Sequence, residues 1–345
     1  MMRLALVIAF LGLLRPGHAQ WTDLASGIDD DLTGVYWWDT HVVVCGERGI
    51  YFSTTAGIGT DTWTRFGITG SPSDEALYDR TSFSGVTARE AEQDVAYFAG
   101  TDTVEQRAII LRVNISDQSY GFLYIGATPS ALNAISVNTA ENRIHAVGDH
   151  GLVLRSTDLT SFTEVASGLD MSLLSLNSFS STFLIGGEGV YVFCSDQTSG
   201  LTLTPHLSPG RTFRGIRAQS STQHYGVGEA VYRFTSSASP TDLTSFEPFP
   251  LDGRDIMISG SSCWVATGHG MYKGGSNPGV LEWQPSAGNG AIDDIQIGFG
   301  SAEGYAVGEN GLVLYTDDGG GSSVPFCGIL SQGGCVGEST TVSGS

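Results

Sequence analysis

The chain has 345 residues, of which 47 are glycine, and its 36 acidic and 16 basic residues give a formal net charge of −20. A surface this acidic repels nucleic acid and anionic lipid, so we expect neither as a partner. The glycine content favours many short strands joined by tight turns, and therefore an all-β protein.

The first 19 residues have the features of a secretory signal peptide. Met1-Met2-Arg3 is positively charged, Leu4 to Leu14 is apolar, and the segment ending at Ala19 has small residues at the positions that precede cleavage. The apolar run is shorter than the roughly 18–20 residues that span a membrane. We therefore predict cleavage after Ala19 and an exported, extracellular protein without membrane insertion; a retained anchor helix is the alternative.

A unit made of an apolar run, a glycine, a polar turn and a second apolar run recurs seven times. Its reference glycines are Gly46, Gly100, Gly148, Gly187, Gly228, Gly268 and Gly308. Their spacing, 54, 48, 39, 41, 40 and 40 residues, approaches the period of a propeller blade, whose small sheet covers its faces only against its neighbours. The repeat predicts a seven-bladed β-propeller of four-stranded antiparallel blades over residues 20–322.

Alternation and turn signals divide each unit into four strands. An inner strand comes first, as in "LTGVYWW" and "LLSLNSF", and the second and third strands flank the reference glycine. The outer strands are predicted in "WTRFGI", "GFLYIG", "FTEVAS", "TLTPHL", "FEPFPL" and "LEWQPS". The surplus residues of the first two units, Gly67 to Ser82 and Thr101 to Ala108, are predicted to be polar surface loops, and no helix is expected.

The seventh unit lacks an outer strand, whereas the mature N-terminus begins "WTDLASG", which matches the outer-strand pattern. We predict that Trp21 to Ser26 supplies the fourth strand of the last blade. That exchange closes the ring by main-chain hydrogen bonds and removes two exposed sheet edges.

The cysteines and one sequon suggest covalent modifications. Residues 323–345 form a Gly/Ser-rich tail that we expect to be disordered, with Cys327 and Cys335 as candidates for a small disulfide loop. Cys45, Cys194 and Cys263 fall in predicted strands, where a disulfide and a buried free thiol are both open. Asn114 begins an Asn-Ile-Ser sequon and is a candidate for glycosylation.

Two segments, "YAVGENGLVLYTDDGG" and "IHAVGDHGLVLRSTD", carry a resemblance to a known family. They are similar to the repeat of photosystem II assembly and stability factor-like propellers, within the wider group of sialidase-type Asp-box (BNR) repeats. The turn of that group survives in part at 316–320 and 156–158. The resemblance implies a propeller in which this turn joins third and fourth strands, and it implies an assembly factor for a membrane protein complex as one function.

Strand order predicts an acidic rim around the central channel. In a four-stranded blade, the turn between the second and third strands emerges on the same face as the link from the outer strand to the next inner strand. The turns carry Glu47, Asp149, Glu188, Glu229, His269 and Glu309, and the links carry Asp29, Asp30, Asp31, Asp170, Asp252, Asp255, Asp293 and Asp294. Crowded carboxylates attract divalent cations or Arg/Lys-rich segments; alternatively, these acids simply make good exposed turns.

Catalytic signatures are scarce. Arg211, Arg214 and Arg217 form the one local arginine cluster of the kind a sialidase requires, but the Phe/Tyr-Arg-Ile-Pro start motif is missing. Other glycosidases need two carboxylates roughly 5–10 Å apart, which the sequence does not locate. His145 and His150 are either metal ligands or exposed hairpin histidines.

The preferred interpretation is a secreted, non-catalytic binding or scaffold module that contacts a protein or glycan through the acidic rim. It requires no cofactor, and calcium is a candidate ion for the rim. The alternatives are a secreted glycoside hydrolase or lyase, and the assembly factor that the resemblance implies.

Overall fold

The computed structural model confirms a ring of seven antiparallel blades around a central channel. It describes residues 21–38, 41–54, 62–89, 92, 94–138, 142–179, 182–197, 200–220, 223–235, 240–243, 251–260, 262–275, 281–284, 287, 290–298 and 303–317. The predicted signal peptide, the C-terminal tail and the Cys327–Cys335 loop lie outside these residues.

The first three blades follow the predicted strand order, inner strand first. Strand β1 (Thr22–Asp23) precedes them. Blade 1 contains β2 (Leu32–Trp38), β3 (His41–Gly46), β4 (Gly49–Ser53) and β5 (Thr64–Arg65). Blade 2 contains β6 (Thr81–Ala88), β7 (Val95–Asp102), β8 (Arg107–Asn114) and β9 (Tyr120–Pro129). Blade 3 contains β10 (Leu132–Asn138), β11 (Arg143–Gly148), β12 (Val153–Ser156) and β13 (Thr163–Glu164).

The remaining blades repeat the pattern. Blade 4 contains β14 (Leu173–Phe179), β15 (Thr182–Gln197) and β16 (Gly200–Thr212); the first half of β15 pairs with β14 and the second half with β16, so the blade has four strand segments. Blade 5 contains β17 (Gly215–Ala218), β18 (His224–Val227), β19 (Val231–Phe234) and β20 (Thr241–Asp242). Blade 6 contains β21 (Gly253–Ser259), β22 (Ser262–Thr267), β23 (Gly270–Gly275) and β24 (Leu281–Trp283). Blade 7 contains β25 (Ile292–Ile297), β26 (Gly304–Gly308) and β27 (Leu312–Thr316).

Strand β1 completes blade 7, as predicted. Thr22 pairs with Tyr315 and Asp23 with Leu314, and the Leu24 amide donates to the Val313 carbonyl at 3.0 Å. Trp21, only 2% exposed, packs in the apolar cluster between blades 6 and 7. Trp21 is therefore part of the core, and the strand that follows it closes the ring.

The apolar core consists of seven clusters, one at each interface between adjacent blades. Between blades 1 and 2, for example, Val43 and Phe52 pack against Phe83 and Phe98. Each sheet buries both faces against its neighbours, so a single blade has no core of its own. Every blade therefore needs a neighbour on each side, and only a closed ring provides this for all seven blades.

The reference glycines are explained by a close approach of the chain to itself. A Cβ atom at Gly148 would lie 1.9 Å from the Ala131 carbonyl oxygen, and one at Gly308 would lie 1.9 Å from the Ala291 carbonyl oxygen. Both carbonyls belong to the residue immediately before an inner strand. The repeat seen in the sequence therefore marks the point where each hairpin turn packs on its own inner strand.

Two secondary-structure predictions were wrong. The segment predicted as a polar loop contains helix α1 (Pro72–Asp79), whose N-cap Ser71 accepts a hydrogen bond from the Asp74 amide at 3.4 Å. The outer strand of blade 5 is β20, and not "FEPFPL", most of which lies outside the described residues. An outer strand of two residues is too short to show the alternation of apolar and polar residues that identifies a strand in a sequence.

A buried ionic network lies between blades 3 and 4, on the face away from the reference glycines. The Asp196 carboxylate, 1% exposed, contacts Arg143 at 3.1 Å, His145 at 2.8 Å and the Arg155 guanidinium. His145 is fully buried and stacks on Phe183 with ring centroids 4.0 Å apart, so neither the metal-ligand nor the exposed-hairpin prediction holds for it. Burial lowers the pKa of His145, and the two arginines add to this effect.

We expect removal of the N-terminal strand to destabilise the whole propeller. Trp21→Ala should lower the free energy of unfolding by about 3 kcal/mol or more, because it empties a buried aromatic site, and deletion of Gln20 to Gly27 should lower it further. Urea unfolding followed by circular dichroism measures both. Thr22→Ala, at an exposed position of the same strand, is the matched control, and a deletion variant as stable as the parent would contradict ring closure.

The Asp196 network makes stability depend on acid pH. Hydrogen bonds and charges from His145 and Arg155 outweigh burial and lower the pKa of Asp196 to about 2, below its unfolded value. Its contribution is therefore present above about pH 4 and is lost as the pH falls through about 2.

Asp196→Asn should cost about 3 kcal/mol at neutral pH, because it leaves the buried Arg143 and the partly buried Arg155 without their carboxylate. The difference from the parent should shrink between about pH 4 and pH 2 in thermal unfolding scans. Asp23→Asn is the exposed control. A difference that does not change over this range would contradict the assignment.

Candidate functional site

The central channel is the candidate site. It is a cavity of 1310 Å³ lined by the inner strands of all seven blades. Six inner strands carry a β-bulge close to the rim that bears the reference glycines, at Thr33, Ser84, Asn133, Leu174, Arg254 and Asp293. The bulge residues therefore surround the channel mouth, and later residues of each strand lie deeper.

Neutral polar side chains connect successive inner strands. Thr87 accepts a hydrogen bond from the Val137 amide at 3.1 Å, Asn177 from the Ala218 amide at 3.0 Å and Gln296 from the Trp37 amide at 2.7 Å. These three acceptors occupy equivalent positions, three residues after the rim. They satisfy inner-edge amides that have no strand partner on that side.

Apart from Glu188 of blade 4 at the channel mouth, charge in the channel wall comes from blades 5 to 7. The other lining residues of blades 1 to 4 are neutral, and some, such as Gly85, Ala134 and Ser175, are small. Blades 5 to 7 contribute Arg214, Arg217, Arg254, Asp252, Asp255, Asp293 and Asp294. One half of the wall is therefore ionic and the other half is not.

Asp255 and Asp294 form a pair of neighbouring carboxyl groups in the wall. Asp255 accepts from the Ile295 amide at 3.2 Å, and Asp294 accepts from the Val35 amide at 2.7 Å. Burial and the neighbouring Asp255 carboxyl raise the pKa of Asp294 well above its usual range, which favours the neutral form of Asp294. Both residues were predicted for the rim; the bulges at Arg254 and Asp293 instead direct them into the channel.

Arg217 projects from β17 into the same channel, near Asp255, Asp294 and Tyr36. Among the described residues, its guanidinium makes no ion pair within 4.0 Å. The neighbouring arginines of the predicted cluster differ: Arg214 pairs with Asp252 at 3.1 Å, and Arg211 donates to the Pro240 carbonyl at 3.2 Å and lies over Tyr232. The three arginines therefore do not converge on one point.

Part of the predicted rim is internally neutralised. Arg254 contacts Asp293 at 2.7 Å, Glu309 at 3.5 Å and Asp252 at 3.8 Å. Arg214 adds a second cation at Asp252. The acids of blades 5 to 7 are thus committed to contacts within the protein.

A second part of the rim keeps its negative charge. We name the side chains of Asp149, Asp170 and Glu188, from blades 3 and 4 and the link between them, the acidic arc. Asp149 accepts from the Asn133 amide group at 3.0 Å, and exposed His150 lies 3.4 Å from Asp170. Glu188 is exposed at the channel mouth. Within the described chain, His150 is the one basic side chain in contact with the arc.

The other predicted rim residues have varied environments. Glu47 and His269 are exposed in their turns, and Glu229 accepts from the Thr212 amide at 3.1 Å. Asp29 and Asp31 are exposed, whereas Asp30 is buried and accepts the Arg48 amide at 2.9 Å.

The remaining candidate positions carry no ligand-binding geometry. Cys45, Cys194 and Cys263 are buried free thiols. Asn114 caps a turn, accepting from the Ser116 amide at 3.0 Å, and the structure does not test its glycosylation.

The described residues contain no group of three or more His, Cys, Asp or Glu side chains suited to a metal ion, and no helix long and apolar enough to cross a membrane.

Comparisons with known proteins show the fold. No family model matches the sequence, and no curated protein matches it. Solved structures do: YCF48 bound to D1 peptide has a TM-score of 0.65 and 12% identity, over 88% of this chain and 99% of that one. U3-55K has a TM-score of 0.66 and 10% identity, over 86% and 98%; the designed protein Ika8 has 0.56 and 11%, over 87% and 99%. At these identities the likeness concerns the propeller alone.

The carboxyl pair makes a pH-dependent prediction. The pKa of Asp294 is raised in the fold, so its contribution to stability is complete below its unfolded pKa and is lost as pH rises through the folded value. Asp294→Asn imitates the protonated acid, because its amide oxygen can still accept from Val35. As the pH rises above about 4, the Tm of Asp294→Asn should therefore fall less than that of the parent. Asp23→Asn is the control, and parallel curves for Asp294→Asn and the parent would contradict a raised pKa of Asp294.

Proposed function

We propose that this propeller is a non-catalytic protein-binding module that holds a Lys/Arg-rich segment of a partner across the acidic arc. The observation that carries the proposal is the uneven neutralisation of the rim. Arg214 and Arg254 form ion pairs with Asp252, Asp293 and Glu309 of the rim, whereas Asp149, Asp170 and Glu188 have one histidine nearby.

The electrostatics favour a basic segment with several contacts. An exposed ion pair contributes only about 0.2–1 kcal/mol, so binding needs more than one lysine or arginine. A like-signed surface patch also speeds the approach of an oppositely charged partner, and salt weakens that effect. We therefore expect moderate, salt-sensitive affinity.

The architecture suits a peptide-like ligand. A rigid ring presents its turns and links as fixed points around a channel mouth. The structurally similar YCF48 was solved bound to D1 peptide, which supports a protein segment over a glycan as the ligand class. Export through residues 1–19, and the assembly-factor role that the resemblance implies, remain part of the proposal.

The test is binding of a fluorescein-labelled Lys/Gly repeat peptide, measured by anisotropy at low salt. Asp170→Asn with Glu188→Gln should weaken binding roughly five- to tenfold, because two favourable charge contacts are lost. Asp23→Asn with Asp117→Asn changes the net charge equally, away from the arc, and should leave the Kd unchanged.

A Glu/Gly repeat peptide is the ligand control and should not bind. Calcium added in the same assay tests whether a divalent cation competes for the arc. Equal weakening by the two double variants would show that only net charge matters, and no binding of the Lys/Gly peptide at low salt would refute the proposal.

A further inference from the structure

The ionic half of the channel breaks the pattern by which the other inner strands connect. At the position of Arg217, three other blades carry Thr87, Asn177 or Gln296, each of which accepts an amide hydrogen bond from the next blade. A guanidinium has five donors and no acceptor, so Arg217 cannot make this bond. Arg217 therefore places a charge in the channel but does not accept the inter-blade hydrogen bond that the equivalent residues accept.

Asp255 and Asp294 also differ from the equivalent residues of other blades, at a position two residues nearer the rim than that of Arg217. The equivalent residues of blades 1, 2 and 5 are glycines, and two of them sit at close approaches: a Cβ at Gly34 would lie 3.1 Å from the Gly85 Cα, and one at Gly215 would lie 2.6 Å from the Asp255 Cα. Blades 6 and 7 instead place Asp255 and Asp294 there. Three charged side chains thus replace small or neutral ones in adjacent blades.

These side chains make the wall dipolar and close to neutral. Arg217 carries one positive charge, and burial and the neighbouring Asp255 raise the pKa of Asp294, which favours the neutral form of Asp294. Arg217 and the carboxyl pair are neighbours in the channel but form no ion pair within 4.0 Å, so each keeps hydrogen-bonding capacity for another molecule. Arg217 is partly exposed to the channel interior.

The channel below the charged layer has a mixed wall. Trp37, Val137 and Ile258 are partly exposed and line it toward the end away from the rim. Ser178 and Ser259 line the same depth. A ligand bound at Arg217 therefore meets both apolar side chains and hydroxyl groups along the channel axis.

We propose that the channel binds a small zwitterion of the α-amino-acid type, with its carboxylate on Arg217, its ammonium on the Asp255–Asp294 pair and an apolar side chain toward Trp37 and Ile258. An anion without an ammonium would leave the carboxyl pair's charge uncompensated, and a cation without a carboxylate would do the same to Arg217. A zwitterion satisfies both while adding no net charge to the enclosed space. This site goes beyond the proposed function, because it uses none of the acidic arc.

The test uses the full chain and isothermal titration calorimetry with L-alanine, L-valine, L-leucine and L-phenylalanine. At least one should bind at millimolar concentration or below. For leucine, the analogues 4-methylpentanoate and 3-methylbutylamine lack the ammonium and the carboxylate respectively. Each should bind at least about thirtyfold more weakly than the amino acid, because one buried charge loses its partner.

Variants locate the site. Arg217→Gln, and Asp255→Asn combined with Asp294→Asn, should each abolish measurable binding. Arg65→Gln makes the same chemical change at an exposed arginine that pairs with Asp79, and it should bind as the parent does. Arg217→Lys keeps the charge without the planar fork and should weaken binding less than Arg217→Gln.

The analogue series needs only the unmodified protein, so it decides the question even if a variant fails to fold. Absence of binding by all four amino acids would overturn the proposal. So would analogues that bind as well as the parent amino acid, or a folded Arg217→Gln that retains affinity. The Lys/Gly peptide assay on the acidic arc is independent of each of these outcomes.

Discussion

Every blade of this protein depends on its neighbours, because a small twisted sheet cannot cover its own apolar faces. Each of the seven apolar clusters lies between two blades, and none lies within one. All apolar faces are covered only when the seventh sheet packs against the first. Trp21 and β1 complete the seventh sheet, because they place a segment from the N-terminal part of the chain inside the last blade.

Packing around an axis also brings unpaired strand edges together in the channel, and their amides need acceptors. Blades 2, 4 and 7 meet this requirement with Thr87, Asn177 and Gln296. In blades 6 and 7, Asp255 and Asp294 also accept an amide hydrogen bond from the next blade, whereas Arg217 of blade 5 has no acceptor with which to do so. Departures of this kind from a repeated structural solution are where a propeller acquires a site of its own.

The sequence was sufficient for the architecture and insufficient for the site, for definable reasons. The seven glycines are visible in sequence because a Cβ at Gly148 or Gly308 would strike a carbonyl oxygen. Helix α1 could have been found from Ser71, Pro72 and the acidic residues of its first turn, a capping signal that the loop prediction overlooked. Asp294 was predicted for the rim but lies in the channel wall. The bulge at Asp293 changes the direction in which the side chains after it point, and the sequence does not show that bulge. The ion pairs of Arg254 with Asp293 and Glu309 join different blades, so no local sequence pattern reveals them.

The shared last blade has a consequence for biosynthesis. Strand β1 is made first, and its partner β27 is made about 290 residues later, so the ring stays open until nearly the whole chain has left the ribosome. A chain that stops early has an unpaired edge in its final sheet and a stranded tryptophan at its start. Both are features that proteases and chaperones recognise, so the same strand exchange distinguishes finished molecules from unfinished ones.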